Sequence, residues 1–226
     1  MEEVCRHRDK CQSPNLVTTV NVLSRLTHIQ TYNSQTTYIL KTSNSTAIYM
    51  GDRWLSSNLL ASTYVWLPLA ISGTTATMKN LVNWVPTASF AAWQTAPAET
   101  SYEAEAATYG GAARDVSCSG CSGKVAAGYI GGPDKGTVSF AGIRSDVDAV
   151  TTIRIKFLNG DSSVRYANVR VNGDGGRKVA FLPAAGDPAS STLNVPLKKG
   201  SANTVVIEGV GSAWGPDVDR LMVPIQ

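Results

Sequence analysis

Three acidic residues at the two ends of the second half of the chain could form a metal site. Glu103 and Glu105 alternate in the run Tyr-Glu-Ala-Glu (102–105), and on a β-strand residues i and i+2 point to the same face. Neighbouring carboxylates repel each other unless a cation or basic group lies between them. If a closing strand with Asp219 pairs beside the opening one, the three side chains offer the oxygen ligands that calcium prefers. The pattern predicts structural Ca²⁺ held by Glu103, Glu105 and Asp219, and the alternative is three ordinary surface acids.

A second set of residues has the chemistry of a sugar site. Trp214 lies in a glycine-flanked loop, where exposing an indole ring is costly unless something stacks on it. A pyranose ring can stack on such a face, and we predict Tyr109 as the opposing wall. Asn159, Asp161 and Asp217 are the polar side chains predicted to hydrogen-bond sugar hydroxyls. The alternatives are that Trp214 covers a core and that the polar residues form turns, which Asn and Asp favour. Arg165 could clamp Asp161 or reach the ligand.

The four cysteines fall into two close pairs. Cys118 and Cys121 form a Cys-x-x-Cys motif, which suits a redox centre, half of a zinc site or a short disulfide. The redox interpretation needs a βαβ context that the sequence lacks, and the zinc interpretation needs a second pair of ligands. We therefore favour a disulfide for Cys118–Cys121, with free thiols or a metal as alternatives, and leave Cys5 and Cys11 open.

Composition narrows the class of protein. A chain of 226 residues allows one large or two modest domains. Only 16% of the residues are charged and Gly, Ser and Thr are frequent, which suits an extracellular β-protein. The net charge of +3 is small and its basic residues are scattered, so nothing indicates nucleic acid. Apolar runs fall short of the roughly 18 residues of a membrane span, so no membrane partner is expected. We expect a monomer.

Strand and turn signals organise the chain into an all-β protein. Alternating runs predict strands at Thr36–Leu40, Ala47–Met50, Thr63–Leu69 and Thr75–Met78. Nine further strands between residues 102 and 223, separated by Gly, Asn and Asp turns, predict a β-sandwich or jelly roll. The predicted division is an atypical segment at 1–30, a first β-unit at 31–95, a linker at 96–100 and a second β-unit at 101–226.

Ordered motifs in residues 101–226 resemble carbohydrate-binding modules of family 35 and, more loosely, of family 6. These motifs are Tyr-Glu-Ala-Glu (102–105), Gly-Tyr-Ile-Gly-Gly (128–132), Asn-Gly-Asp (159–161), Val-Asn-Gly (171–173) and Gly-Pro-Asp-Val-Asp-Arg (215–220). The resemblance implies a β-jelly roll with a structural calcium and a sugar site in the loops at one end. It also implies that a backbone carbonyl near residues 122–124 contributes to the calcium site.

Residues 31–95 resemble the last portion of a family 43 glycoside hydrolase, most closely the fungal exo-β-1,3-galactanases, which often carry a family 35 module behind the enzyme. The motifs are at residues 33–38, 49–54 and 64–69. The resemblance implies a partial β-propeller blade fragment, in which Gln35 matches a glutamine that stands where related enzymes keep the base. Glycoside hydrolysis normally uses two carboxyl groups, and the acid would come from blades that this chain lacks. We therefore expect the chain to be catalytically silent.

Together these features predict a calcium-stabilised module of a truncated galactanase that binds β-1,3-galactan or a galactose-containing plant polysaccharide. The alternative is a functional galactan 1,3-β-galactosidase of which this chain is the C-terminal part. The resembling families are extracellular, but no apolar signal core follows the acidic start Met1-Glu2-Glu3. We therefore expect the N-terminus to be truncated, and the alternative is an intracellular protein.

Overall fold

The computed structural model describes residues 31–225, except for positions 33, 74, 80, 82, 88, 90 and 91. The predicted segment 1–30, with Cys5 and Cys11, lies outside the described residues. The chain divides into two compact units, Met1–Ala96 and Pro97–Gln226. The described residues include no helix with the length and apolar character that crossing a membrane would take.

The described part of the first unit is built from two small antiparallel sheets. Its strands are β1 (Gln35–Lys41), β2 (Thr46–Arg53), β3 (Thr63–Ser72), β4 (Thr75–Met78), β5 (Trp84–Pro86) and β6 (Trp93–Thr95). The first four form one sheet in the order β1-β2-β3-β4, and β5 pairs with β6. The four predicted strands are confirmed, whereas their place in a propeller blade stays a prediction.

Side-chain alternation explains the four-stranded sheet. Tyr49, Leu67 and Leu69 are buried on one face, whereas Tyr64 and Trp66 are 76% and 53% exposed on β3. The turn between β1 and β2 closes locally, because the Ser43 hydroxyl accepts a hydrogen bond from the N–H of Thr46 at 3.1 Å. The apolar residues on the buried face of this sheet form two small clusters.

The second unit contains eleven strands. They are β7 (Glu99–Glu103), β8 (Thr108–Gly110), β9 (Arg114–Ser117), β10 (Val125–Gly128), β11 (Thr137–Ser145), β12 (Ala149–Asn159), β13 (Arg165–Val171), β14 (Arg177–Phe181), β15 (Ala184–Leu197), β16 (Gly200–Gly209) and β17 (Asp217–Pro224). One sheet has the order β15-β12-β17-β10-β9, with β7 also paired to β17, and the other has the order β14-β13-β16-β11-β8. All of these pairings are antiparallel.

A single apolar core lies between these two sheets. Alternate residues of β12, among them Ile155 and Phe157, pack in one buried cluster with Ile207 of β16. The rings of Phe157 and Phe181 meet edge to face with centroids 4.9 Å apart. The second unit is therefore a β-sandwich, and the predicted fold is confirmed for it.

Two boundaries differ from the sequence prediction. Glu99 and Thr100 belong to β7 and not to a linker, because Thr100 pairs with Val223 and the Glu99 carboxylate accepts a hydrogen bond from Nε of Arg154 at 2.9 Å. The strand also ends at Glu103, since Ala104–Ala106 form a 3₁₀ turn. The premise that Glu103 and Glu105 alternate along one strand is therefore wrong.

Candidate functional site

The carboxylate cluster consists of Glu103, Glu105 and Asp219. Antiparallel pairing of β7 with β17 sets Glu103 opposite Arg220, next to Asp219 in the chain. The short turn Ser122–Lys124 contacts the other two members. The N–H of Ser122 donates to Oδ1 of Asp219 at 3.0 Å, and a Cβ added to Gly123 would collide with Oε1 of Glu105. Gly123 has a φ of +63°, which few other residues adopt at low cost. The three carboxylates thus lie around the Ser122–Lys124 turn, although Glu105 belongs to the 3₁₀ turn Ala104–Ala106 and not to β7.

One oxygen of each carboxylate in the cluster is buried without a hydrogen bond. These atoms are Oε2 of Glu103, Oε2 of Glu105 and Oδ2 of Asp219. Burial raises the pKa of Asp219 above its ordinary value, and the charge of Glu103 acts in the same direction. The Arg220 guanidinium and the N–H of Ser122 oppose that shift. Buried acceptors without partners are costly, and a bound cation would offset that cost.

Arg220 is the basic group nearest to the cluster in these contacts. Its Nη1 lies 3.8 Å from Oε1 of Glu103, and its Nε lies 3.6 Å from Oδ2 of Asp219. Both separations exceed hydrogen-bonding distance, and Nε is itself buried without a partner. Within the described ranges, no group of three or more His, Cys, Asp or Glu side chains is placed so that it could hold a metal ion. The donors are nevertheless all carboxylate oxygens, the type that calcium prefers, so the residues suit Ca²⁺ chemically.

A disulfide lies immediately before the turn that the cluster surrounds. Cys118 and Cys121 are bonded, with their Cα atoms 5.3 Å apart. The N–H of Cys118 donates to the carbonyl of Lys124 at 2.9 Å, which closes the loop on itself. The structure therefore has the disulfide that the sequence favoured, in a position to shape the Ser122–Lys124 turn.

Trp214 lies at one end of the sandwich beside a second exposed aromatic residue. Its ring meets that of Tyr129 edge to face, with centroids 5.9 Å apart. The two side chains are 42% and 40% exposed. The indole lies against Gly132, where an added Cβ would collide with the ring, and the N–H of Gly215 donates to the carbonyl of Ile130 at 2.8 Å. Backbone contacts thus hold the two aromatic loops together.

Tyr129 is fixed from a third side by a basic residue. The Arg114 guanidinium carbon lies 3.5 Å from the centroid of the Tyr129 ring, within the range of a cation–π contact. Tyr129 also has a φ of +59°, which is uncommon for a residue with a side chain. Such conformations concentrate at functional sites. The sequence prediction missed Tyr129, although it is a glycine-flanked loop aromatic in Gly-Tyr-Ile-Gly-Gly (128–132), the same kind of signal that selected Trp214.

Tyr109, the predicted partner of Trp214, is engaged elsewhere. Its ring packs against the core between the sheets, and its hydroxyl donates to Oδ1 of Asp115 at 2.6 Å. Burial and this hydrogen bond to Asp115 both raise the pKa of the phenol well above its ordinary value. The aromatic neighbour of Trp214 is therefore Tyr129 rather than Tyr109.

Asn159 and Asp161 have different roles in their shared loop. The Asn159 side chain is buried, and its amide donates to the carbonyls of Ser163 and Phe181, at 2.9 Å each. Its Oδ1 accepts the N–H of Asp161 at 3.1 Å. No Asn159 donor is left for a ligand, so this residue builds the turn, as the alternative interpretation held. Asp161 is exposed and remains available.

Arg165 connects the Asp161 loop with the Trp214 loop. Its Nε donates to Oδ2 of Asp161 at 2.7 Å, and its Nη1 donates to the carbonyl of Gly215 at 3.0 Å. The hydrogen bond and charge of Arg165 lower the pKa of Asp161. Burial raises the pKa of Asp217, the charge of Arg165 lowers it and that of Asp161 raises it, and the net shift is upward. The structure thus brings Asp161, Asp217 and Trp214 into one region.

A shallow cleft of about 200 Å³ has Asp217 in its wall. The disulfide loop contributes Ser119, and Leu158 and Gly186 contribute from β12 and β15.

Gln35, the predicted catalytic remnant, is the exposed first residue of β1 and stands opposite Asp52 in the strand pairing. Its catalytic role stays a prediction.

Comparisons with known proteins support a carbohydrate-binding class. A family described as CBM13-like, the CBM13 domain of alpha-galactosidase, matches residues 137–223. No curated protein matches the chain. A family 35 carbohydrate-binding module from Clostridium thermocellum matches with a TM-score of 0.51 and 25% identity, over 55% of this chain and 98% of that one. The chain therefore contains a module similar to known carbohydrate-binding modules.

A larger similarity covers most of the chain. The exo-beta-1,3-galactanase from Phanerochaete chrysosporium, whose crystal structure was determined with galactose, matches with a TM-score of 0.64 and 31% identity. The match covers 89% of this chain and 46% of that one. Structures of its E208Q and E208A variants with beta-1,3-galactotriose match similarly. The chain thus spans about half the length of these galactanases and is similar to that half.

Proposed function

We propose that the second unit binds a polysaccharide containing β-1,3-linked galactose, and that Trp214 and Tyr129 form its sugar-binding surface. The observation that carries the proposal is the pair of half-exposed rings, held by backbone contacts and by Arg114. Prearranged aromatic rings offer apolar area to sugar C–H groups at little cost in conformational entropy. The structures of a similar galactanase with galactose and β-1,3-galactotriose support galactan as the ligand.

Polar groups beside the rings can fix the orientation of the sugar. Asp161 keeps one face open to solvent while Arg165 holds its carboxylate in place. Asp217 lies in the wall of the neighbouring cleft. A few fixed polar groups next to an apolar surface are typical of ligand sites, because they give specificity without large desolvation.

The carboxylate cluster is the second part of the proposal. Glu103, Glu105 and Asp219 would hold Ca²⁺, which would supply the positive charge that their buried oxygens lack. The cluster would tie β7 and β17 to the Ser122–Lys124 turn. The role is structural, because the cluster consists of side chains distinct from those proposed to contact the sugar. The disulfide supports a secreted protein, since such bonds persist in oxidising compartments.

Calorimetric titration of the full chain with β-1,3-galactotriose tests the sugar site. Trp214→Ala and Tyr129→Ala should each weaken binding at least tenfold, which corresponds to about 1.4 kcal/mol. The matched control is Tyr166→Ala, because Tyr166 is also 40% exposed and also lies under a basic group, Lys178 at 4.1 Å. That variant should bind within twofold of wild type. Folded Trp214 and Tyr129 variants with wild-type affinity would place the site elsewhere, and a wild-type chain that binds no galactan would refute the function.

A further inference from the structure

We infer that Arg220 is the internal counter-ion of the carboxylate cluster and that it weakens the affinity of the cluster for a divalent cation. The inference rests on the proposed calcium site and concerns how that site is regulated. Arg220 contacts two of the three acids, Glu103 and Asp219, from β17 itself.

The contacts of Arg220 are those of a charge without a fixed partner. Its distances to Glu103 and Asp219, 3.8 and 3.6 Å, are within the range of Coulomb attraction but too long for hydrogen bonds. Both Nε of Arg220 and Oδ2 of Asp219 are buried and lack hydrogen-bond partners. A well-formed ion pair at this depth would satisfy these atoms, because unpaired buried polar atoms cost free energy.

Neighbouring cations on this sheet are engaged by other groups. Arg154 donates from its Nε to Glu99 at 2.9 Å, and Lys156 donates from its Nζ to the carbonyl of Pro188 at 2.8 Å. Lys156 stands opposite Arg220 in the strand pairing. The pKa of Lys156 is lowered, mainly by burial and further by the charges of Arg154 and Arg220. Three basic side chains, Arg154, Lys156 and Arg220, therefore lie close together on this sheet. Of these three, Arg220 is the one that contacts the carboxylate cluster.

Two consequences follow from this position. Without a divalent cation, Arg220 reduces the repulsion among the three carboxylates and so stabilises the fold. With a divalent cation bound, the same guanidinium repels the cation at short range, since like charges disfavour one another. Removal of the charge should therefore destabilise the cation-free protein and tighten cation binding.

Calcium titration in the presence of a competing chelator tests the inference on the full chain. Arg220→Gln should bind calcium at least fivefold more tightly than wild type and should melt at a lower temperature in excess chelator. Arg220→Lys keeps the charge and should stay within about twofold of wild type in calcium affinity. Arg170→Gln is the matched control, because it makes the same change of charge on the other sheet, where Arg170 pairs with Glu208 at 2.6 Å. It should leave calcium affinity unchanged.

The outcomes separate this inference from the calcium proposal. A wild-type chain without calcium binding or calcium-dependent melting would refute the proposed site itself. Wild-type binding with equal or weaker binding by Arg220→Gln would leave the site intact and overturn the role of Arg220. If Arg220→Gln unfolds in chelator, the same affinity comparison can be made from the calcium concentration that refolds it. That concentration must be corrected for the unfolding equilibrium, with Arg220→Lys as the reference. A corrected requirement for more calcium than wild type would contradict the inference.

Discussion

Asp219→Asn should reverse the order of stability between calcium and chelator. In wild type the carboxylate of Asp219 is fully buried, and because burial penalises the charged form it raises the pKa of this group. The substitution removes this charge and keeps an oxygen that can accept the Ser122 N–H. In excess chelator the variant should therefore be at least as stable as wild type.

In calcium the order should change, because the proposed site would bind the cation tightly only in wild type. A ligand that binds the folded state alone adds about 2.7 kcal/mol when its concentration is a hundred times Kd. For a unit of about 130 residues this corresponds to a rise in Tm of roughly 10 °C. The variant should lose most of that rise. Its Tm should therefore be at least that of wild type in chelator and lower than that of wild type in calcium.

Differential scanning calorimetry of the full chain, with and without calcium, measures both effects. Asp146→Asn provides a control, because Asp146 is an exposed carboxylate that pairs with Arg144 away from the cluster. The control should keep the full calcium-dependent rise in Tm. An Asp219→Asn chain with the same rise as wild type would refute Asp219 as a ligand.

Three further variants test individual contacts. Replacement of Cys118 and Cys121 by Ser should cost at most about 2 kcal/mol, because the closed loop is short, and should weaken calcium binding by loosening the adjoining turn; urea unfolding and calcium titration check the two effects. Asn159→Ala should cost about 2 kcal/mol in urea unfolding, because it leaves the buried carbonyl of Phe181 without its donor and also removes the donor to the carbonyl of Ser163. Burial raises the pKa of Glu208, but the Asn168 amide and the Arg170 guanidinium lower it by more, so the net shift of the pKa is downward. The ionised Glu208 therefore stabilises the fold at neutral pH, and this stabilisation is lost as the pH falls through the depressed pKa. Glu208→Gln should therefore cost about 1 kcal/mol or less at pH 7, and its difference from wild type should vanish in acid unfolding below the ordinary glutamate range.

The sandwich could be predicted from sequence because burial alternates along its strands. Ile153, Ile155 and Phe157 face the core on β12, and the intervening residues do not. Such alternation is local, so it can be read without knowing which strands pair. The short strands β8 and β9 were not predicted, since three or four residues carry too little alternation to be recognised.

The sequence motifs located part of the carboxylate cluster correctly. The motifs led to Glu103 and Asp219, which the pairing of β7 with β17 does bring together. They led wrongly to a shared strand face for Glu105, because the 3₁₀ turn at Ala104–Ala106 interrupts the strand. Strand period assigns a face only as far as the strand extends, and its end depends on tertiary contacts.

The contact between the two aromatic residues could not be predicted from the sequence, for a different reason. Tyr129 and Trp214 are 85 positions apart in the sequence, and no periodicity links them. Their contact depends on the close approach of two backbones, since Gly131 has a φ of +76° and its Cα lies only 2.3 Å from the position that a Cβ on Gly209 would take. A glycine in a loop signals such freedom, but it does not say which second segment uses it.

At the loop end of the sandwich, polar and backbone contacts hold the loops beside the two aromatic rings. Arg165 joins the Asp161 loop to the carbonyl of Gly215, and Asn159 closes its loop from inside. Gly132 allows the indole of Trp214 to lie directly on the backbone, where any side chain would displace it. Because each of these contacts fixes a backbone segment, the two rings are positioned before a ligand arrives. A rigid surface of this kind loses little entropy on binding, which would favour the proposed binding of a flexible polysaccharide.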